Sequence, residues 1–197
     1  MKKLLITGFD PFGGECVNPS WEAVSRLPQQ IGEYALTKLQ VPTVFGGAAQ
    51  AVLARAEEMH PDVILCVGQA GGRSAVTPEQ VAINLRYAKI ADNDGQQPQD
   101  LPVAPDGPAA YFATVPVRAM EQAILAAGLP GAVSYSAGTF VCNDLLYSVL
   151  HACRGTGTLA GFVHVPYLPQ QAEATHAPSL TLEQMVQALT AAIAALP

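Results

Sequence analysis

Charge is scarce in this sequence. Only 13% of its 197 residues are charged, with 10 Lys and Arg against 16 Asp and Glu, which gives a formal net charge of −6. So few basic residues cannot build the positive face that nucleic acid or an anionic membrane surface attracts. The sequence therefore predicts no nucleic-acid partner and no membrane partner.

Long hydrophobic runs are missing too. Half of the residues are hydrophobic, but Gly, Pro or charge interrupts each run before the roughly 18 residues that a membrane span needs. The first eight residues begin with Met-Lys-Lys, but their apolar stretch is too short for a secretory signal, and they predict a first strand. The hydrophobic content argues against disorder, and the length suits one domain, residues 1–197, with a real core.

Cysteines are few and show neither CxxC nor metal-ligand spacing. Reduced thiols in a cytoplasmic protein without metal are the expectation. Cys66 lies in an apolar run and Cys153 at a predicted helix end, so both are predicted to be structural. Cys16 lies in a polar loop, where nothing beside it activates the thiol. Cys142 stands apart from these three because of its position.

Strand-like and helix-like patterns alternate along the chain. The predicted strands are 3–7, 34–41, 62–67, 133–136 and 161–165. The predicted helices are 18–27, 48–59, 117–127, 143–153 and a last helix whose Thr181 and Gln184 form a capping box. This alternation predicts a single-domain three-layer α/β/α sandwich with a mostly parallel, mixed, twisted sheet. Residues 90–108, rich in Asp, Gln, Pro and Gly, predict a long surface loop that serves as a lid, an interface arm or a mobile segment.

Cys142 follows a small-residue turn and opens a predicted helix. At a helix N-terminus the dipole and the free N–H groups favour thiolate over thiol. The same N–H groups can stabilise the oxyanion of a tetrahedral intermediate. From the residues alone, Cys142 is either a catalytic nucleophile or a buried structural cysteine.

A nucleophilic cysteine needs a base and a group that orients it. His60 at a helix end, His151 two turns beyond Cys142 and His176 in a polar loop are poorly placed. His164 lies inside an apolar run, where an imidazole needs a hydrogen-bond partner; it is a candidate base or a satisfied core histidine. Glu79 precedes an apolar segment and is the candidate orienting acid, with a surface carboxylate or helix cap as the alternative.

Five segments in order give the chain a family resemblance over nearly its whole length. The sequence resembles the pyrrolidone-carboxylate peptidases, also called pyroglutamyl peptidase I. The segments are Gly8-Phe-Asp-Pro-Phe-Gly-Gly14 with Asn18-Pro-Ser20, Gly68-Gln-Ala-Gly-Gly-Arg73, Pro78-Glu-Gln-Val-Ala-Ile-Asn84, Ser136-Ala-Gly-Thr-Phe-Val-Cys-Asn143 and Gly161-Phe-Val-His-Val-Pro-Tyr-Leu-Pro169.

The resemblance implies a cysteine peptidase that removes an N-terminal 5-oxoproline from peptides. It implies a catalytic triad of Glu79, Cys142 and His164. It also implies a cytoplasmic homotetramer with no metal and no organic cofactor.

The resemblance also implies a pocket for the flat, neutral lactam ring. Phe9 and Phe12 match the family's pocket aromatics and can cover the ring faces. Gln69 and the backbone around Phe140 and Val141 can pair with the lactam N–H and C=O. An ordinary N-terminus carries an ammonium, and its burial without a partner would cost several kcal/mol, so the pocket is expected to select blocked N-termini.

The chain departs from the family pattern at two positions. Gln80 stands where the family usually has a basic residue after the triad Glu. Lys89 stands where the family has an Arg near the active site, and it is expected to replace that Arg in contacting the substrate. An ammonium keeps the charge but loses the bidentate fork of a guanidinium.

Two other functions stay open from the sequence. A phosphorylase or nucleosidase of the purine-nucleoside-phosphorylase kind could use a similar α/β scaffold with phosphate on its Gly-rich loops. The chain, however, has neither the Walker lysine motif nor a G-x-G-x-x-G motif. A binding protein that keeps the pocket, but has lost activity through Gln80 and Lys89, is the other alternative.

Overall fold

A six-stranded, mostly parallel sheet forms the middle layer of the structure. This computed structural model describes residues 1–173 and 176–197. The sheet has the strand order β2-β3-β1-β4-β8-β5, in which the two edge strands β2 and β5 are antiparallel. A separate two-stranded antiparallel sheet joins β6 and β7. The strands are β1 (Lys2–Phe9), β2 (Gln30–Ile31), β3 (Tyr34–Val41), β4 (Val63–Gln69), β5 (Thr77–Pro78), β6 (Val81–Ile83), β7 (Ala110–Phe112) and β8 (Leu159–Val165).

Helices cover both faces of the large sheet. They are α1 (Pro19–Arg26), α2 (Gly47–Met59), α3 (Val117–Ala126), α4 (Val141–Ala152), α5 (Pro169–Ala172) and α6 (Leu182–Ala194). One apolar cluster packs α1, α3 and α6 against one face. A second packs α2 and α4 against the other face. The central parallel strands β1, β4 and β8 are buried along almost their whole length, which explains why their sequences are largely apolar.

Two side-chain caps fix helix starts. The Asn18 side chain accepts a hydrogen bond from the Ser20 N–H at the start of α1. Thr181 and Gln184 form a capping box at the start of α6, as their spacing predicts. Each cap satisfies N–H groups that have no acceptor inside the helix.

The single-domain α/β fold with a mostly parallel, mixed sheet agrees with the prediction. The predicted strand 133–136 is wrong. There, backbone pairing is limited to an isolated bridge between Glu79 and Ser134, because the segment faces the two-residue strand β5 and has no longer partner. The short elements β2, β5, β6, β7 and α5 have too few residues to show a periodic pattern.

Residues 90–108 contain no helix or strand, as predicted, but they are tied to the fold. The buried carboxylate of Asp92 accepts hydrogen bonds from the N–H groups of Phe45, Asp94 and Gln96. Leu101 pairs with Arg86 through two backbone hydrogen bonds. Among the described residues, no helix is long and apolar enough to cross a membrane.

Candidate active site

The ends of β1, β4 and β8 and the start of α4 enclose a cavity of about 330 Å³. This is the edge of an open α/β sheet where ligands usually bind. The volume lies near the lower end of the range for small-molecule pockets, about 300–1,000 Å³. The lining residues are Phe9, Phe12, Asn18, Thr43, Gln69, Ala70, Gly71, Arg73, Ser136, Ala137, Gly138, Phe140, Cys142 and His164.

Cys142 is the second residue of α4, and its thiol lines this cavity. Phe140 is the N-cap and supplies no side-chain hydrogen bond. The first amides of a helix have no acceptor within the helix. The N–H groups at the start of α4 are therefore placed to stabilise negative charge that develops beside the thiol.

The two residues after Cys142 anchor the start of α4. Asn143 accepts a hydrogen bond from the Ile83 N–H (2.9 Å) and donates to the Ile83 carbonyl (2.9 Å). Asp144 accepts from Arg86 Nε (2.5 Å) and from the Gly46 N–H (2.8 Å). Both side chains are buried, so they hold the thiol in a fixed place against the sheet.

Gly68 lets the thiol approach the sheet. A Cβ at this position would lie 2.9 Å from Cys142 Sγ and 2.7 Å from Phe162 Cζ. Gly68 is also the β4 residue in register with His164 on β8. Since paired residues of neighbouring strands are adjacent, the thiol lies beside the strand position that carries His164.

His164 and Glu79 form a buried hydrogen-bonded pair. The distance from His164 Nδ1 to Glu79 Oε1 is 2.7 Å, and the Glu79 side chain is fully buried. Thr77 of β5 pairs with His164, and Glu79 follows directly after this strand. The edge strand thus brings the carboxylate to the imidazole.

Arg73 contacts the Glu79 carboxylate beside the cavity, and the sequence reasoning did not single it out. Its Nη1 donates to Glu79 Oε1 (2.6 Å) and Thr77 Oγ1 (2.5 Å), and its Nη2 donates to the Ser136 carbonyl (3.0 Å). The sequence signal was its place at the end of Gly68-Gln-Ala-Gly-Gly-Arg73, just beyond a buried strand. Arg73 joins three segments around the site.

The pKa shifts give Glu79 and His164 complementary states. Burial raises the pKa of Glu79, but the His164 hydrogen bond, the Ser134 hydroxyl and the Arg73 charge outweigh burial and lower it. Burial lowers the pKa of His164, against the opposing effect of Glu79. At neutral pH the imidazole is therefore neutral and Glu79 ionised. The Nδ1–H of His164 donates to Glu79, which leaves Nε2 of the imidazole as a proton acceptor.

The expected thiolate at Cys142 was wrong. Burial, followed by the negative charge of Glu79, raises the pKa of the Cys142 thiol to about 12. Burial disfavours the charged form of a thiol. Cys142 is therefore a neutral thiol beside a neutral imidazole, and it needs His164 to take its proton.

Aromatic rings form one wall of the cavity. The ring centroids of Phe12 and Phe140 are 6.1 Å apart, and Phe45 meets Phe140 edge-on at 5.2 Å. Phe9 lines the cavity but is only 2% exposed, so it also belongs to the core. Val141 is fully buried and does not line the cavity. Val141 lies in the chain between two lining residues, Phe140 and Cys142, but it belongs to the core.

Other histidines lie away from the thiol. His151 pairs with the Tyr111 hydroxyl (3.0 Å). His60 ends α2 and lines a separate cavity of about 590 Å³ together with Cys153. In the described part of the chain, no group of three or more His, Cys, Asp or Glu could hold a metal ion.

Residues 2–197 match the model of a protein family described as Pyroglutamyl peptidase. The chain belongs to this family. A pyrrolidone-carboxylate peptidase from Levilactobacillus brevis is 54% identical over 197 residues, which cover 98% of this chain and 97% of the relative. Another, from Bacillus subtilis, is 51% identical over 191 residues, covering 95% and 89%.

Solved structures of pyroglutamyl peptidases have the same fold. Pyroglutamyl peptidase I from Bacillus amyloliquefaciens is 46% identical, with a TM-score of 0.95 over 98% of this chain and 96% of that one. The pyrrolidone carboxyl peptidase from Thermococcus litoralis is 37% identical, with a TM-score of 0.94 over 99% and 93%. These similarities do not favour the phosphorylase alternative.

The two departures from the pyroglutamyl peptidase pattern lie outside the cavity lining. Lys89 is exposed, and Gln97 donates a hydrogen bond to its backbone carbonyl. Gln80 is half-buried, and its N–H donates to the Ser134 carbonyl. The predicted contact of Lys89 with substrate therefore has no support from the cavity geometry. Arg73 supplies the cation at the cavity instead.

Proposed function

We propose that this protein is a cysteine peptidase that removes an N-terminal pyroglutamyl residue from peptides, with Cys142, His164 and Glu79 as its catalytic triad. The observation that carries the proposal is the convergence of three groups on one cavity. A thiol and an imidazole both line it, and a buried carboxylate orients the imidazole at 2.7 Å. This arrangement suits acyl transfer.

Acylation begins as His164 Nε2 takes the proton of the Cys142 thiol. Sγ then forms a bond with the pyroglutamyl carbonyl carbon, and the carbonyl oxygen becomes an oxyanion. The amides at the start of α4 stabilise this charge. When the intermediate collapses, the C–N bond breaks and the imidazolium gives its proton to the leaving amine.

Deacylation repeats the sequence with water as the nucleophile. His164 takes a proton from water, the hydroxide attacks the thioester carbon, and the C–S bond breaks. The proton returns to Sγ, and free 5-oxoproline leaves. Glu79 stays ionised throughout and stabilises the imidazolium that forms in each half-reaction.

The cavity rejects an unblocked N-terminus on electrostatic grounds. Among the described residues that line it, none carries a carboxylate, whereas Arg73 carries a positive charge. An ammonium would be buried beside phenylalanine rings without a partner, at a cost of several kcal/mol. The neutral lactam avoids this cost, so the pocket selects the blocked N-terminus.

Turnover of L-pyroglutamyl-7-amino-4-methylcoumarin by the purified protein tests the proposal. We expect fluorophore release that Cys142→Ala lowers by roughly a thousandfold or more, because the covalent route is lost. Cys16→Ala is the matched control, since Cys16 is an exposed thiol. Full activity of Cys142→Ala would contradict the assignment of Cys142 as the nucleophile. Binding of pyroglutamate without turnover would instead indicate the inactive binding protein.

We also infer that the protein is a cytoplasmic homotetramer. Exposed Phe112, with 71% of its surface accessible, lies on β7. Among the described residues this strand pairs only with β6, so its outer edge is available to another copy. A nucleophilic thiol works only when reduced, which suits the cytoplasm; enzyme activity should accordingly follow the cytoplasmic fraction of lysed cells.

A further inference from the structure

Gln69 contacts a second glutamine behind the cavity wall. Gln69 is the last residue of β4 and lines the cavity. Its Oε1 accepts a hydrogen bond from Gln171 Nε2 at 3.2 Å. Gln171 belongs to α5, which follows closely after β8, and does not itself line the cavity.

The backbone fixes which end of each amide faces which neighbour. The Leu168 N–H can only donate, and it lies 3.1 Å from Gln171 Oε1. The Val17 carbonyl can only accept, and it lies 3.4 Å from Gln171 Nε2. Both contacts require the same orientation of Gln171, with Nε2 as the donor toward Gln69.

Gln69 is oriented in turn. Since Gln171 presents a donor, Gln69 must give it Oε1, and the Nε2 of Gln69 faces away from Gln171. That NH₂ group has no protein acceptor in the described ranges 1–173 and 176–197. The Gln69 side chain therefore offers a hydrogen-bond donor to the cavity.

We propose that Gln171 is a specificity-determining positioning residue, which turns Gln69 so that its NH₂ group recognises the ring carbonyl of 5-oxoproline. This inference rests on the function proposed above. The Gln69 NH₂ group then donates to the C=O of the lactam, and the lactam N–H pairs with other groups.

A donor at this place separates two rings of nearly equal size. A prolyl residue has no ring carbonyl, so it would leave the Gln69 NH₂ group without a partner. A buried polar group without a partner costs about 1–3 kcal/mol. This is a factor of roughly 5 to 150 in affinity, which adds to the rejection of the charged prolyl nitrogen.

Substitution of Gln171 by Glu tests the orientation. In Gln171→Glu one carboxylate oxygen still accepts from the Leu168 N–H, but the other now accepts from Gln69, which must turn its Oε1 into the cavity. When the lactam binds, Gln69 Oε1 and the lactam carbonyl oxygen then face each other, and both are acceptors. We expect KM for L-pyroglutamyl-7-amino-4-methylcoumarin to rise about tenfold or more, with kcat within about threefold of wild type.

Gln170→Glu is the matched control, because it adds the same charge at the neighbouring exposed position. Gln171→Met keeps the length and removes both hydrogen bonds, and its KM should lie between those of wild type and Gln171→Glu. The melting temperature of each variant separates loss of fold from loss of orientation. If Gln171→Glu does not fold, Gln171→Met carries the test by the same split between KM and kcat.

An unchanged KM in Gln171→Glu and Gln171→Met would overturn the inference, and so would an equal rise in Gln170→Glu. Either result would leave the proposed peptidase intact. A wild-type protein that fails to cleave the substrate would overturn the proposed function, and the role of Gln171 with it. The two failures are therefore distinguishable.

Discussion

One carboxylate oxygen, Oε1 of Glu79, receives two hydrogen bonds beside the cavity. His164 Nδ1 lies 2.7 Å from it and Arg73 Nη1 lies 2.6 Å from it. The positive charge of Arg73 lowers the pKa of both Glu79 and His164. Arg73 thus adds to the larger effects, the His164 hydrogen bond on Glu79 and burial on His164, that keep the acid ionised and the base neutral, which are the states the mechanism requires.

The pH profile should report this role of Arg73. Activity needs neutral His164, whose pKa burial places below its usual value of 6.5, so the acid limb of kcat/KM lies below that pH. Arg73→Gln removes a charge that lowers the pKa, and the acid limb should move to higher pH. At its optimum, kcat/KM should fall about tenfold or more, because a charge-assisted hydrogen bond contributes about 1.5–3 kcal/mol.

Two variants serve as references for Arg73→Gln in the same pH titration. Arg73→Lys keeps the charge but loses the second guanidinium nitrogen, which donates to the Ser136 carbonyl. The acid limb of its kcat/KM profile should therefore move less than in Arg73→Gln, while kcat/KM at the optimum still falls. Arg118→Gln removes an exposed surface charge and should change neither. An acid limb that stays in place, or moves to lower pH, in Arg73→Gln contradicts the electrostatic role.

At the scale of the helices, the two capped N-termini differ in what lies beside them. Asn18 caps α1 and also lines the cavity, and its Nδ2 donates to the Asp10 carbonyl (2.9 Å). The Ser20 hydroxyl donates to Asn18 and accepts from the Phe9 N–H, so this cap holds the backbone of a cavity residue. Thr181 caps α6 and does not line the cavity.

Alanine at each cap should separate stability from binding. Asn18→Ala and Thr181→Ala should each lower the free energy of unfolding by about 0.5–2 kcal/mol. Asn18→Ala alone should raise KM for the pyroglutamyl substrate, by about threefold to tenfold, because Phe9 loses its support. Denaturant titration and steady-state kinetics check both; equal kinetics in the two variants would refute the link between α1 and the pocket.

Long elements could be predicted from the sequence because their apolar residues recur with the period of a helix or a strand. The strand 34–41 and the helices that begin at Asn18 and Thr181 follow from alternation and capping residues. The segment 133–136 has a strand-like composition, but in the fold it meets only a two-residue strand. Whether such a segment becomes a strand depends on a partner far away in sequence, which local pattern cannot supply.

The same limit applies to the site. The placement of Cys142, His164 and Glu79 near strand and helix ends follows from local sequence. The pKa of Cys142 does not, because it depends on how deeply distant segments bury the thiol. The hydrogen bonds that orient Gln69 depend on a residue 102 positions away, beyond the reach of any local motif.

For the molecule as a whole, the free edge of β7 predicts self-association. Light scattering during size-exclusion chromatography should give about four times the chain mass of 20.6 kDa. Phe112→Asp places a charge on that edge and should shift the mass toward smaller species, because a buried unpaired carboxylate opposes assembly. Leu125→Asp, at a half-exposed position on α3, is the control and should leave the mass unchanged.

His164 and Glu79 are 85 residues apart, and the strand pair that joins them lies at one edge of the sheet. Contacts between segments so far apart close large loops and tend to form late in folding. During refolding, helical signal can return while β5 and β8 are still apart, but catalysis cannot. Recovery of peptidase activity during refolding therefore reports the pairing of β5 with β8, which the recovery of helical signal does not report.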